Sequence, residues 1–195
     1  MKLIDREIEG VTIQISRSFP VIVITGPRQT GKTTLCKKLF PNKPYSNLEQ
    51  PDIRNIAIND PHAYLQNFSE SGAIIDEIQH APELLSYIQQ IVDNNNQKGF
   101  FILTGSNHLL LLEKITQSLA GRAAILNLLP FSMNELALYN QDFETDEYLY
   151  KGFYPAIYSE NQEPLFFYRN YFATYIERDV RQLINVKDYQ LFQTF

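Results

Sequence analysis

A single cysteine, Cys36, leaves this 195-residue chain without an internal disulfide and points to a reducing compartment. Inside its own segment Cys36 reads as a small packing residue rather than a reactive one. Long hydrophobic runs are missing too. The longest, Leu109 to Leu112, falls far short of the roughly 20 residues a helix needs to span a bilayer. The opening residues, MKLIDREIEG, alternate charge with apolar side chains and lack the apolar core of a signal peptide. No low-complexity tract and no internal repeat appears. Positive charge is in short supply: 17 Lys and Arg stand against 22 Asp and Glu, for a net charge of −5. That balance argues against broad nucleic-acid binding, while leaving room for a local basic patch. These absences describe a soluble, cytoplasmic globular protein. Its 44% of hydrophobic residues suffice for one domain with a real core and a small appendage.

What is present is concentrated first in Val21 to Thr34, VIVITGPRQTGKTT. Val21 to Thr25 is mostly β-branched and reads as a short buried strand. Lys32 to Leu39 reads as a helix that Pro41 ends. Between them, Gly26, Gly31, Lys32 and Thr33 satisfy G-x-x-x-x-G-K-[ST], the phosphate-binding loop. The spacing has a physical reason, because backbone N–H groups must turn inward around a phosphate and glycine permits those dihedrals. The whole loop, Gly26, Pro27, Arg28, Gln29, Thr30, Gly31, Lys32, Thr33 and Thr34, is the candidate nucleotide cradle. The following helix adds its unpaired amides and the positive end of its dipole. Lys32 is placed to reach the β- and γ-phosphates, and the Thr33 hydroxyl to hold Mg²⁺.

Before this loop, Ile4, Ile8, Val11 and Ile15 recur at helical spacing and predict one amphipathic helix. After it, strands at Tyr45 to Leu48, Ala73 to Glu77, Phe100 to Thr104 and Ala123 to Leu128 alternate with helices. The alternation predicts an α/β fold, a parallel sheet covered on both faces, over residues 1–130. Beyond Pro130 no strand is evident, and a helical extension is expected over 131–195. Ser132 and Glu135 form a candidate capping box at its start. Pro164 to Leu183 reads as one long aromatic-rich helix.

Ile74-Ile75-Asp76-Glu77 supplies the second half of a hydrolytic site. A buried strand carries the two carboxylates to the C-terminal edge of the sheet, where ligands of open α/β folds bind. Asp76 is the candidate Mg²⁺ holder, and Glu77 the residue that polarises an attacking water. Thr104, Ser106 and Asn107 end the next strand; they could bond the γ-phosphate or the water, or simply cap a turn. Gln79 and His80 read as flanks of a turn.

The stretches GPRQTGKTTL, NLEQPDIR, AIIDEIQHAPELL, FILTGSNHLLL, SLAGRAAILNLLPFSMNEL, GFYP and YIERDVRQL together resemble a bacterial and archaeal family of predicted AAA-superfamily ATPases. The resemblance implies a three-layer fold with the Thr104 strand between the phosphate-loop strand and the Asp76–Glu77 strand. It implies ATP rather than GTP, and Ser106 or a neighbour as a polar sensor. It also raises Arg122 to a phosphate-charge sensor or arginine finger, against the plainer reading of a charge at a helix end. Arg178 and Arg181, beside Glu177 and Asp179, read instead as surface pairs. Similar proteins carry a further domain where this sequence stops, so the chain is expected to be truncated before it. The expected function is Mg²⁺-dependent ATP hydrolysis driving a conformational change. The rivals are a nucleotide switch with little turnover, a small-molecule kinase, and a helper for a nucleic-acid-acting partner. Tyr168, Tyr171, Phe172, Tyr175 and Ile176, with Leu183, Ile184, Leu191, Phe192 and Phe195 beyond them, predict an apolar end that meets another copy or a partner chain.

Overall fold

The computed structural model describes residues 3–95, 97–106, 109–139 and 144–176. At its centre lies β1 (Val21–Gly26), buried along its whole length. Around it stand β2 (Tyr45–Asn47), β3 (Ala73–Asp76), β4 (Phe101–Ser106) and β5 (Ala123–Asn127), in the order β2-β3-β4-β1-β5. All four pairings are parallel, and β4 lies between β1 and β3 as expected.

Alternation along the strands builds two cores, since neighbouring residues point to opposite faces. Val21 and Val23 of β1, with Ile75, Phe101 and Leu103, pack against Leu84, Leu85 and Ile88 of one helix and Ile115 of another. Those helices are Leu84–Asn95 and Leu109–Ser118. Ile22 and Ile24, with Ile74 and Ile102, face the opposite way and meet Leu35 and Cys36 from the helix Lys32–Leu39. Each of these Ile, Leu and Phe side chains contributes about 1.5–3 kcal/mol of transfer free energy by leaving water. Cys36 is fully buried in this core, and burial pushes its thiol up to about 12.

Numbered in chain order, the helices are α1 (Ile8–Ser16), α2 (Lys32–Leu39), α3 (Pro51–Asn59), α4 (Pro61–Gln66), α5 (Leu84–Asn95), α6 (Leu109–Ser118), α7 (Met133–Tyr139), α8 (Thr145–Lys151), α9 (Pro155–Ser159) and α10 (Pro164–Tyr171). Two differ from the sequence expectation. The first helix begins at Ile8 rather than Ile4, because Ile4 is drawn into a third cluster with Phe131, Leu136 and Tyr148. Its inward face is Ile8, Thr12 and Ile15, while Val11 stays 47% exposed. The buried Thr12 is tolerated because its hydroxyl donates to the Ile8 carbonyl. The expected long helix is α10 followed by a π-helical turn, Phe172–Ile176, and the rest of it lies outside the described residues. Arg178, Arg181, Leu183, Ile184, Leu191, Phe192 and Phe195 lie there too. Among the described residues, 131–176 contain helices and no strand, and no described helix is long and apolar enough to cross a membrane.

Candidate active site

Gly26, Asp76 and Ser106 lie at the same edge of the sheet, because β1, β3 and β4 are parallel and end together. At Gly26 the chain leaves β1 with φ +148°, and a Cβ there would lie 2.1 Å from the Leu128 carbonyl oxygen, where only glycine fits. Gly31 (φ +90°) takes a left-handed conformation immediately before α2. Between these glycines the loop is held by its own atoms. The buried Thr30 hydroxyl donates to the Pro27 carbonyl at 3.0 Å.

Lys32, the first residue of α2, curls its ammonium back into the loop and donates to the Gly26 carbonyl at 3.0 Å and the Pro27 carbonyl at 2.8 Å. Burial lowers its pKa, and the charges of Glu77 and Asp76 oppose that shift. A buried cation held by neutral carbonyls, with two carboxylates nearby, is a group prepared for an anionic ligand.

Asp76 is buried and gathers three hydroxyls. Thr33 and Tyr45 both donate to its Oδ2 at 2.7 Å, and Thr104 donates to Oδ1. Thr104 also accepts the Glu77 backbone N–H at 3.3 Å, so one side chain of β4 fixes both acidic residues. Glu77 adopts a left-handed conformation (φ 58°), which turns it out of the β3 line, and its carboxylate accepts from the Gln79 side-chain amide. Ser106 is buried opposite Gly26 in the β1–β4 register, within the same edge. Asn107 lies outside the described residues.

The structure thus brings Lys32, Thr33, Asp76, Glu77 and Ser106 together, and it does not bring Arg122. That residue precedes β5 at the other end of the sheet, where its carbonyl accepts the N–H of Val21, the first residue of β1. Five residues of strand, about 16 Å, separate Val21 from Gly26. The guanidinium is engaged in a bidentate pair with Asp93 of α5, at 2.5 and 2.8 Å. A phosphate-sensing role for Arg122 within its own site is therefore corrected. The parallel register sends a residue before a strand to the edge opposite the Gly26–Thr34 loop.

Three contributors were missed in the sequence. Tyr45 sits on a three-residue strand too short to show a pattern, yet its phenol donates to the Asp76 carboxylate. Burial and Asp76 hold that phenol far above its ordinary pKa, so it remains a donor. Gln79, read as a turn flank, reaches Glu77. Arg6 is the third. Its guanidinium donates to the Thr30 carbonyl of the loop at 2.9 Å, the Leu129 carbonyl at 2.7 Å and Glu135 at 3.0 Å, and it lies 4.8 Å from the centre of the Phe131 ring. Glu135 does form the expected capping box with Ser132, at 2.8 and 3.1 Å, while also receiving Arg6 and the Glu7 N–H. The capping signal was legible, and the charge it would attract from residue 6 was not.

Beside the loop opens a cavity of about 670 Å³, lined by Gly31, Thr34 and Lys38 on one side, Leu3, Ile4 and Arg6 above, and Phe131, Phe167, Asn170 and Tyr171 from the helical region. Tyr171 also meets the loop directly, its hydroxyl 3.5 Å from the Arg28 carbonyl.

Residues 142–195 match a family described as "Domain of unknown function (DUF8612)". Among curated proteins, the chain is similar to uncharacterized proteins of Mycobacterium tuberculosis and Mycobacterium bovis, each 30% identical over 167 residues. That match covers 84% of this chain and 37% of each relative, so the chain spans little over a third of their length. Among solved structures it is similar in fold to the Walker-type ATPase of Pyrococcus abyssi (TM-score 0.60, 17% identity, 92% of this chain and 76% of that one). The AMPPCP-bound DnaA of Aquifex aeolicus is a second neighbour (TM-score 0.52, 13% identity, 90% of this chain and 63% of that one). Residues 18–137, the loop, the sheet and both carboxylates included, match the family described as "AAA domain", and the chain belongs to that family.

Proposed function

We propose that this chain binds ATP with Mg²⁺ and hydrolyses it. The observation that carries the reading is the buried Lys32 ammonium, held by loop carbonyls beside Asp76 and Glu77 at one sheet edge. The triphosphate would lie along the loop from Gly26 to Thr34, over the amides that open α2. The cavity beside the loop is large enough for a nucleoside and apolar enough at Ile4, Phe131 and Phe167 to take the faces of a base.

Lys32 exchanges its carbonyl partners for the β- and γ-phosphate oxygens, which turns the electrostatic cost of its burial into binding. Thr33 and Asp76 fit a Mg²⁺ site, because a hydroxyl and a carboxylate already meet at 2.7 Å beside the loop and both are hard oxygen ligands. Mg²⁺ there would neutralise charge on the β- and γ-phosphates. Tyr45 and Thr104 keep the Asp76 carboxylate in place throughout. Glu77 accepts a proton from the attacking water, and Ser106 offers a hydroxyl at the same edge. Arg6 links the loop carbonyl of Thr30 to Glu135 and Phe131, which supports a reading in which loop occupancy is felt by the helical region. Phosphate release from purified protein tests the proposal: sustained Mg²⁺-dependent turnover of ATP is expected, and one nucleotide bound per chain without turnover would reduce the reading to a switch.

A further inference from the structure

Glu77 does not act alone in this geometry. Its left-handed backbone starts a tight 3₁₀ turn, Ile78–His80, and the turn is pinned by Ile78, which is completely buried. A residue other than glycine rarely adopts that conformation. Here it has two consequences. The Glu77 N–H is delivered to Thr104, and the side chain two residues later is folded back over the carboxylate.

That side chain is Gln79. Its Nε2 donates to Glu77 Oε2. An ionised carboxylate only accepts hydrogen bonds, so the amide nitrogen must face Glu77 and the amide oxygen must face elsewhere. Gln79 Oε1 is buried and has no hydrogen-bond partner among the described residues. A buried acceptor left in that condition is costly, and it is found beside the group proposed to activate water.

We propose that Gln79 is a positioning residue for hydrolysis, acting through the N–H end of its amide. The N–H end orients the Glu77 carboxylate. A carboxylate already held in one orientation takes a proton from a water placed before it without reorganising. In the step itself the water oxygen bonds to the γ-phosphorus. The bond to the β–γ bridging oxygen breaks, with its electron pair leaving on ADP, and the proton passes to Glu77. Gln79 exchanges no atom.

This inference rests on the ATPase reading, and the experiment separates the two. Gln79→Leu keeps the volume and removes both hydrogen-bonding ends; Gln79→Glu keeps an acceptor and sets a like charge against Glu77. Steady-state phosphate release and ATP binding are measured for each, alone and combined with Glu77→Gln. The expected result for Gln79→Leu is a kcat lowered about tenfold or more, with KM and ATP affinity within about twofold of wild type. Added to Glu77→Gln, it should lower kcat no further, because the group it positions is already gone. A turn that merely packs badly would instead weaken ATP binding and add its loss to that of Glu77→Gln, which overturns the proposal. So does wild-type or faster turnover in either Gln79 variant, Gln79→Glu deciding the matter if Gln79→Leu does not fold. Wild-type protein that releases no phosphate overturns the ATPase reading and this one together. Turnover lost in Glu77→Gln and kept in both Gln79 variants overturns this one alone.

Discussion

The two edges of the sheet are made from the same strands and have opposite chemistry. At the edge where β1, β3 and β4 end, charged groups sit beside one another on uncharged partners: buried Lys32 on loop carbonyls, buried Asp76 under three hydroxyls, and half-buried Glu77 against the Gln79 amide. At the edge where those strands begin, the charges have already found each other. Arg122 and Asp93 form a bidentate pair in solvent. An ion pair completed within the chain has little left to offer a ligand, whereas a buried cation on neutral carbonyls is improved by an incoming anion. Charge alone therefore does not mark a site. Charge buried short of its complement does.

The sharpest way to break the comparison is Lys32→Ala. At the ligand edge this should weaken ATP binding by about 100-fold or more, the worth of charge-assisted hydrogen bonds to the β- and γ-phosphates. Calorimetry on the folded variant checks it, and near wild-type affinity would move the nucleotide site elsewhere. Glu77→Gln should leave binding intact and lower turnover by about 100-fold, since only the proton acceptor is lost. Phosphate release measured beside calorimetry separates the two effects.

Arg6→Ala probes the seam between the ligand edge and the helical region. Arg6 and Glu135 are nearly buried, with side chains 8% and 5% exposed. Removing the guanidinium should destabilise the fold by about 2 kcal/mol, below the usual range for a broken buried pair because the Glu7 and Ser132 amides still reach Glu135. Chemical denaturation reads this directly, and Glu135→Gln should cost less, because its amide oxygen still accepts from Arg6 and the Glu7 N–H and only the Ser132 N–H loses its acceptor.

The smallest effect belongs to the far edge. Arg122→Ala should turn over ATP like wild type at every protein concentration, since the guanidinium is engaged with Asp93. A loss of activity that grows with concentration would instead assign Arg122 to the site of a neighbouring copy. The pair also has a pH signature of known sign. Arg122 holds the Asp93 carboxyl below its ordinary pKa, so its small contribution to stability is present above the unfolded value and is lost as pH falls through the folded one. The variant should lack that acid-side loss, which thermal melts across mildly acidic pH would show.

Local order was legible where the residues concerned are neighbours. Gly26, Gly31, Lys32 and Thr33 lie in one loop and the start of the helix after it, Asp76 and Glu77 are adjacent, and Ser132 with Glu135 closes a capping box on itself. The reading failed where the partner is remote. Tyr45 reaches Asp76 from 31 positions away, and Arg6 meets Glu135 across 129. Neither carries a local pattern that would announce it. Arg122 is the converse case, a residue that a family resemblance raised to a phosphate sensor and whose place before β5 puts it at the opposite edge.

What the sequence determined by itself is the loop, the acidic pair and the alternation of strand and helix, because dihedral permissiveness, adjacency and hydrophobic periodicity are properties of contiguous chain. Only the tertiary structure decided which edge each polar residue occupies and which partners complete it. Strand order β2-β3-β4-β1-β5 places Thr104 beside Asp76, and the return of the chain after β5 brings Phe131 and Glu135 to Arg6. These contacts exist because a parallel sheet must bury both faces, and covering it carries distant segments to the same place.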